Sequence, residues 1–127
     1  MVYYFAVAIG GALGATSRYW VHLMLENTER FNQSIFPYAT LLVNVLGSLL
    51  LGISYVVLLE KLQLPMQFRA AIMVGFLGAF TTFSTFSVDA LELLQEGNVV
   101  QGMLYIVISV VLCIAVAWLG MTITRAL

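Results

Sequence analysis

Hydroxyls and aromatic rings alternate in FLGAFTTFSTFS, residues 76–87. Four phenylalanines and five Ser/Thr hydroxyls share this stretch, inside a chain that is otherwise almost wholly apolar. A phenyl ring is electropositive at its rim and electronegative on its face. Ring edges beside O–H donors can therefore surround an anion without any fixed positive charge. Phe80, Phe83 and Phe86 are also spaced as a packing stripe on a helix, so both readings stand. Tyr105, Ser109 and Cys113 recur at i, i+4 and i+8 and line one helix face. Two hydroxyls and a weakly donating thiol, spread over about 12 Å, form either a donor track or ordinary packing. Asn44, in TLLVNVLGS, carries an amide that needs a partner in an apolar medium. It can bond across helices or offer N–H donors to an anion. Arg18 lies about 24 Å along a helix from Val2. There it can snorkel to headgroups or face a water-filled vestibule and draw anions in.

The elements that position these groups follow from composition. Of the 127 residues, 62% are apolar or aromatic and 9% are charged. Soluble domains carry about 25% charged residues, and a short chain cannot hide this much apolar area within itself. Lipid must cover the remainder. Four segments have the length and character of spans: about 2–25, 38–59, 70–94 and 99–124. The connections Glu26–Pro37, Glu60–Arg69 and Gln95–Asn98 are short, so residues 1–127 form a single four-helix transmembrane domain. The N-terminal apolar run lacks the basic region of a signal peptide and continues to Met24, which makes it a first span.

Within the third span, glycines and hydroxyls weaken the helix. An unwound segment near Gly78–Thr82 is expected, with a second half-helix starting near Ser84 or Thr85 and capped by their hydroxyls. Asp89 would then sit near a positive helix end. An intact helix with hydroxyls bonded to the i−4 carbonyls is the competing form. Gly10 and Gly14 form a GxxxG, with Gly11 beside them, and Gly47–Ser48 is similar; close helix packing explains both. Lys61, Arg69 and Arg125 would share one face, against Arg30 and Arg18 on the other. So weak a bias permits insertion in both orientations.

Several functions are excluded. Five scattered Lys/Arg form no phosphate-binding patch, so nucleic acid is no partner. One histidine and one cysteine, far apart, offer no metal or Cys–His catalytic centre. No enzyme activity is expected. A small dual-topology multidrug transporter is an alternative that length and charge bias fit, but it would need a carboxylate within the first span, where none precedes Glu26. A non-conducting assembly protein remains an alternative, with the glycines and phenylalanines serving only packing.

Three motifs then carry a resemblance: GGxLGAxxRY at residues 10–19, TLLVNVLGS at 40–48 and GxxTTFSTFS at 78–87. In them, and along essentially its whole length, the chain resembles the small fluoride channels of the CrcB/Fluc family. The resemblance implies a passive, fluoride-selective channel exporting cytoplasmic fluoride from a bacterium across its inner (plasma) membrane. It implies an all-α, four-helix fold with a broken third helix, and an antiparallel, dual-topology homodimer with two pores. It implies a structural sodium ion held by the backbone carbonyls of Gly78 and Thr81. Phe83 and Phe86 would present ring edges to fluoride, with Asn44, Ser84, Tyr105 and Ser109 also at the pore and Arg18 in the vestibule. Two positions depart from the pattern. Ala79 stands where a second glycine is common, which a negative φ would accommodate. Cys113 stands where a hydroxyl often completes the donor track.

Overall fold

The computed structural model describes residues 1–28 and 33–127. Among them the chain is all helical, with no strand. Helix α1 spans Val2–Glu26. Helix α2 spans Tyr38–Lys61 and widens into π-helical turns over Tyr55–Lys61. The third apolar stretch is two helices: α3 over 66–80, with a π-helical section at Ala70–Leu77, and α4 over Phe83–Gln95. Helix α5 spans Val99–Ala126. Each end lies within a few residues of the boundary expected from hydropathy.

Local chemistry sets the ends. Pro37 and Pro65 immediately precede α2 and α3, where a missing N–H breaks no helical bond. Helix α4 stops at a Schellman turn. The Asn98 N–H donates to the Leu93 carbonyl at 2.9 Å and the Gly97 N–H to that of Leu94 at 3.3 Å. Gly97 takes φ +84 there, a left-handed value that glycine adopts without strain.

Glycines set the helix crossings. A Cβ on Gly10 would strike the Ala71 carbonyl, and one on Gly14 the Phe76 carbonyl. From the other side, a Cβ on Gly75 would lie 2.7 Å from the Val7 carbonyl. Backbone thus meets backbone where α1 crosses α3, as small-residue motifs in lipid allow. Among the described residues, Gly11 has no such neighbour closer than 3.9 Å. Helices α2 and α5 cross similarly: a Cβ on Gly52 would strike the Ala117 carbonyl, and one on Gly120 would lie 2.8 Å from that of Leu49.

Much of the outside is apolar. Val111, Ile114 and Trp118 of α5 are each more than 60% exposed, and only 11% of that helix's apolar stretch is buried within the chain. Contiguous apolar surface of this kind faces lipid or another protein. By length and composition α2, the 66–95 stretch and α5 can each cross a membrane. The chain is thus a multi-pass membrane protein. Helix α1 is as long, at 25 residues, but Arg18, His22 and several hydroxyls and glycines dilute its apolar character.

The ends of α2 and α5 are tied by an ion pair in which Arg125 donates to both carboxylate oxygens of Glu60, at 3.0 and 2.6 Å. Val2 and Phe5 line a groove with Gln67 and Phe68, so the start of α1 lies beside the start of α3. Arg30, on which the expected charge balance depends, lies outside the described residues.

Candidate functional site

The third span breaks at Thr81 and Thr82, which are extended at φ −82, ψ 161 and φ −153, ψ 115. The intact-helix form is therefore ruled out. The break is shorter than the expected Gly78–Thr82, because Gly78–Phe80 remain helical. The Thr81 N–H and hydroxyl both donate to the Leu77 carbonyl, at 3.1 and 3.0 Å, and close that end.

Asn44 holds the break open. Its Oδ1 accepts the Thr82 N–H at 2.7 Å and its Nδ2 donates to the Thr82 carbonyl at 3.0 Å. One amide thus satisfies both backbone groups of a residue that has left the helical ladder, as buried backbone requires. Of the two roles open to Asn44, cross-helix bonding is the one made here. Gly47, one turn further along α2, makes room for it: a Cβ there would strike the Thr81 methyl and lie 3.4 Å from the Phe80 ring.

Thr82 caps α4. Its hydroxyl accepts the Thr85 N–H at 3.2 Å and donates to the Thr85 hydroxyl at 3.0 Å. This corrects the expectation that Ser84 or Thr85 would cap a later start: helix begins at Phe83 because Thr82 is the residue with extended backbone. Thr82→Ala should lower stability by about 1 kcal/mol, and Thr82→Ser should restore it, as read by thermal unfolding in detergent. Asp89 is also displaced from its expected place. It lies beyond the first turn of α4, where the helix-end field has decayed, and accepts the Tyr105 hydroxyl at 3.3 Å.

Arg18 does not snorkel. Its Nη1 donates to the Thr81 carbonyl at 3.2 Å, placing a cation on the C-terminal end of α3, where the helix dipole favours it. The phenylalanine stripe is also divided. Phe80 belongs to α3, is buried and stacks on Phe76 with ring centroids 6.1 Å apart. Phe83 and Phe86 belong to α4, with centroids 5.4 Å apart.

Beside the break lies a cavity of about 250 Å³ lined by Asn44, Ser48, Leu51, Thr81, Thr82, Phe83, Phe86, Ser109, Val110 and Cys113. Among the expected site residues, Asn44, Thr81, Phe83, Phe86 and Ser109 come together here. Phe86 is buried, whereas Phe83 is 77% exposed and leaves the cavity open on its side. The Ser109 hydroxyl is buried with no hydrogen-bond partner among the described residues. Tyr105 is absent from this lining. Fully buried, it packs against Phe86 at 5.2 Å and edge-on to Phe36 at 5.4 Å. Its hydroxyl is turned to Asp89, which lines a separate cavity of about 300 Å³ with His22, Glu26 and Thr85. Ser84 is exposed, 3.3 Å from the Thr82 hydroxyl. Thr82, Ser48 and Gly47 were not anticipated at the site. The Thr-x-x-Thr spacing of Thr82 and Thr85 is the signal that reveals the cap; nothing local marks the other two.

Residues 5–121 match the family described as CrcB-like protein, Camphor Resistance (CrcB). A relative from Hahella chejuensis is 49% identical over 94% of this chain and 91% of its own length. One from Saccharophagus degradans is 47% identical over 100% of this chain and 92% of its own. A third, from Methylococcus capsulatus, is 45% identical over 97% of this chain, which spans about half (53%) of that protein. All three are named fluoride-specific ion channels, a description of a transport protein and not of an enzyme. With a family match across nearly its whole length and relatives at this level of identity, the chain belongs to the CrcB family.

Proposed function

We propose that the chain is a passive fluoride-selective channel that lets cytoplasmic fluoride leave a bacterial cell across its inner membrane. The observation that carries this is the cavity at the break. Among the described residues, two phenyl rings, a serine hydroxyl with no partner and an amide from another helix converge there, with no carboxylate in the lining. Fluoride is small and holds its water strongly, so its passage needs close donors to replace that water. Phe83 and Phe86 supply ring edges, and Ser109 supplies an O–H. Asn44 orders the wall through Thr82. Arg18, placed at the Thr81 carbonyl, adds positive potential. Tyr105 and Ser84 act from outside the cavity, Tyr105 by buttressing Phe86.

One chain makes one wall. The open side at Phe83 and the apolar exterior support pairing with a second copy, which the family resemblance implies is antiparallel with dual topology. Two copies would enclose two paths. A structural sodium ion fits the same arrangement in kind. The Gly78 carbonyl loses its helical donor because the Thr82 N–H turns to Asn44, and among the described residues a Cβ on Gly78 would meet nothing nearer than the Met73 carbonyl at 3.6 Å. The Thr81 carbonyl keeps a second lone pair beyond the one that meets Arg18. Hard cations take about six oxygens, so one chain's pair of carbonyls calls for a partner's. The ion would pin the two breaks together. Ala79 poses no obstacle, since among the described non-glycine residues only Gln63 has positive φ.

The test is anion efflux from liposomes loaded with potassium fluoride or potassium chloride, with valinomycin carrying the counter-ion. Rapid fluoride and negligible chloride efflux is expected. Phe86→Ile should reduce fluoride efflux strongly while leaving a folded dimer by size-exclusion. Unchanged efflux in that variant would remove the aromatic edges from the path. No movement of either anion would favour the non-conducting reading. The multidrug-exchange alternative gains no support, because α1 carries no carboxylate before Glu26.

A further inference from the structure

We propose that Cys113 makes this cavity a site of thiol modification, at which a low-molecular-weight disulfide or thiosulfonate forms a mixed disulfide and closes the ion path. The second half of that statement rests on the channel reading; the first does not.

Cys113 is the chain's sole cysteine and is free, so no disulfide within the chain competes for it. It is partly exposed and lines the cavity of about 250 Å³ together with Phe83, Phe86 and Asn44. One turn earlier on α5, Ser109 lines the same cavity. That serine is 5% exposed and its hydroxyl has no partner among the described residues. A buried hydroxyl left unpaired is costly, and such groups in native proteins find a partner in water or a bound solute. The hydroxyl is thus an open donor in the wall of the cavity that the thiol also lines. Cα positions one turn apart place the two side chains about 5–6 Å from each other.

The chemistry balances without further reactants. The Cys113 thiol loses its proton to water, and the thiolate attacks one sulfur of the disulfide R–S–S–R. A new S–S bond joins Cys113 to one half of the reagent. The other half leaves as RS⁻ and takes up a proton. With a thiosulfonate the leaving group is a sulfinate. The product projects an R–S group into a cavity lined by rings and removes the thiol's weak donor. It occupies the space that an ion coordinated by Ser109 needs. A thiol or phosphine reductant reverses the step.

The experiment uses the full chain in liposomes. The protein is treated with methyl methanethiosulfonate, intact mass is measured, and fluoride efflux is followed before treatment, after it and after dithiothreitol. The expected result is one thiomethyl group per chain, efflux lower by roughly tenfold or more as expected for a narrow path, and recovery with dithiothreitol. Cys113→Ser, whatever its own efflux rate, should gain no mass and show no change on treatment. Absence of labelling in folded protein overturns the proposal, provided that the thiol reacts after denaturation. Full labelling with unchanged efflux overturns the closure. If untreated protein passes no fluoride, the channel reading fails instead, and the mass measurement still decides whether Cys113 is reached from water.

Discussion

Asn44→Leu is expected to abolish rapid fluoride efflux and to lower the unfolding temperature together. Leucine fits the volume but offers neither donor nor acceptor. The Thr82 N–H and carbonyl, now held at 2.7 and 3.0 Å, would both lose their partners. Each unpaired backbone group costs about 1–3 kcal/mol. Recovery is possible if the chain closes the break into a continuous helix, returning the Thr82 N–H to the Gly78 carbonyl. That would rotate Phe83 and Phe86 away from the cavity and remove the cap at Thr82. Efflux should fall roughly a hundredfold, equivalent to about 2.7 kcal/mol on the barrier at about 1.4 kcal/mol per factor of ten. Asn44→Asp separates the two bonds. A carboxylate still accepts from the Thr82 N–H but opposes its carbonyl and places negative charge on the proposed fluoride path. It should melt closer to the parent than Asn44→Leu yet remain as poor a conductor. Parent-like efflux from Asn44→Leu would mean that Thr82 does not depend on this amide.

Gly14→Val should prevent assembly altogether, whereas Gly11→Ala should resemble the parent. A Cβ at position 14 meets the Phe76 carbonyl, whose backbone cannot yield without separating α1 from α3. Separation would also withdraw Arg18 from the Thr81 carbonyl, so the damage reaches the site. At position 11 the nearest atom of a neighbouring helix among the described residues is 3.9 Å away, an ordinary contact, and alanine favours helix by about 1 kcal/mol over glycine. The comparison is read by size-exclusion in detergent. A monodisperse peak for Gly14→Val, at the parent's position, would show that α1 and α3 tolerate a wider crossing. A loss confined to Gly11→Ala would place the close approach on the wrong glycine.

The apolar helical stretches, their approximate ends and the presence of a discontinuity were legible in the sequence, because hydropathy and glycine–hydroxyl content are local properties. The membrane class followed from 62% apolar and 9% charged residues. The GxxxG of Gly10 and Gly14 correctly announced a close crossing, since only residues without side chains permit it. Part of the cavity's lining was legible too: Asn44, Phe83, Phe86 and Ser109 are polar or aromatic groups in apolar surroundings, and all four line it.

Tertiary contacts decided the rest. Propensity spreads weakness over Gly78–Thr82, but the break falls at Thr81 and Thr82 because the Asn44 amide reaches Thr82 from another helix. Which Thr/Ser caps α4 then follows from where the break falls. Arg18 turns inward because the orphaned Thr81 carbonyl lies within reach of α1, a fact that no reading of α1 alone contains. Helical spacing placed Tyr105, Ser109 and Cys113 on one face. That face meets different neighbours along its length, so Tyr105 is sealed against Phe86 and Asp89 while Ser109 and Cys113 open to the cavity. Sequence determines which groups can bond in lipid, because an apolar medium leaves so few of them. Only the crossing of helices, set by their glycines, determines which of those groups meet.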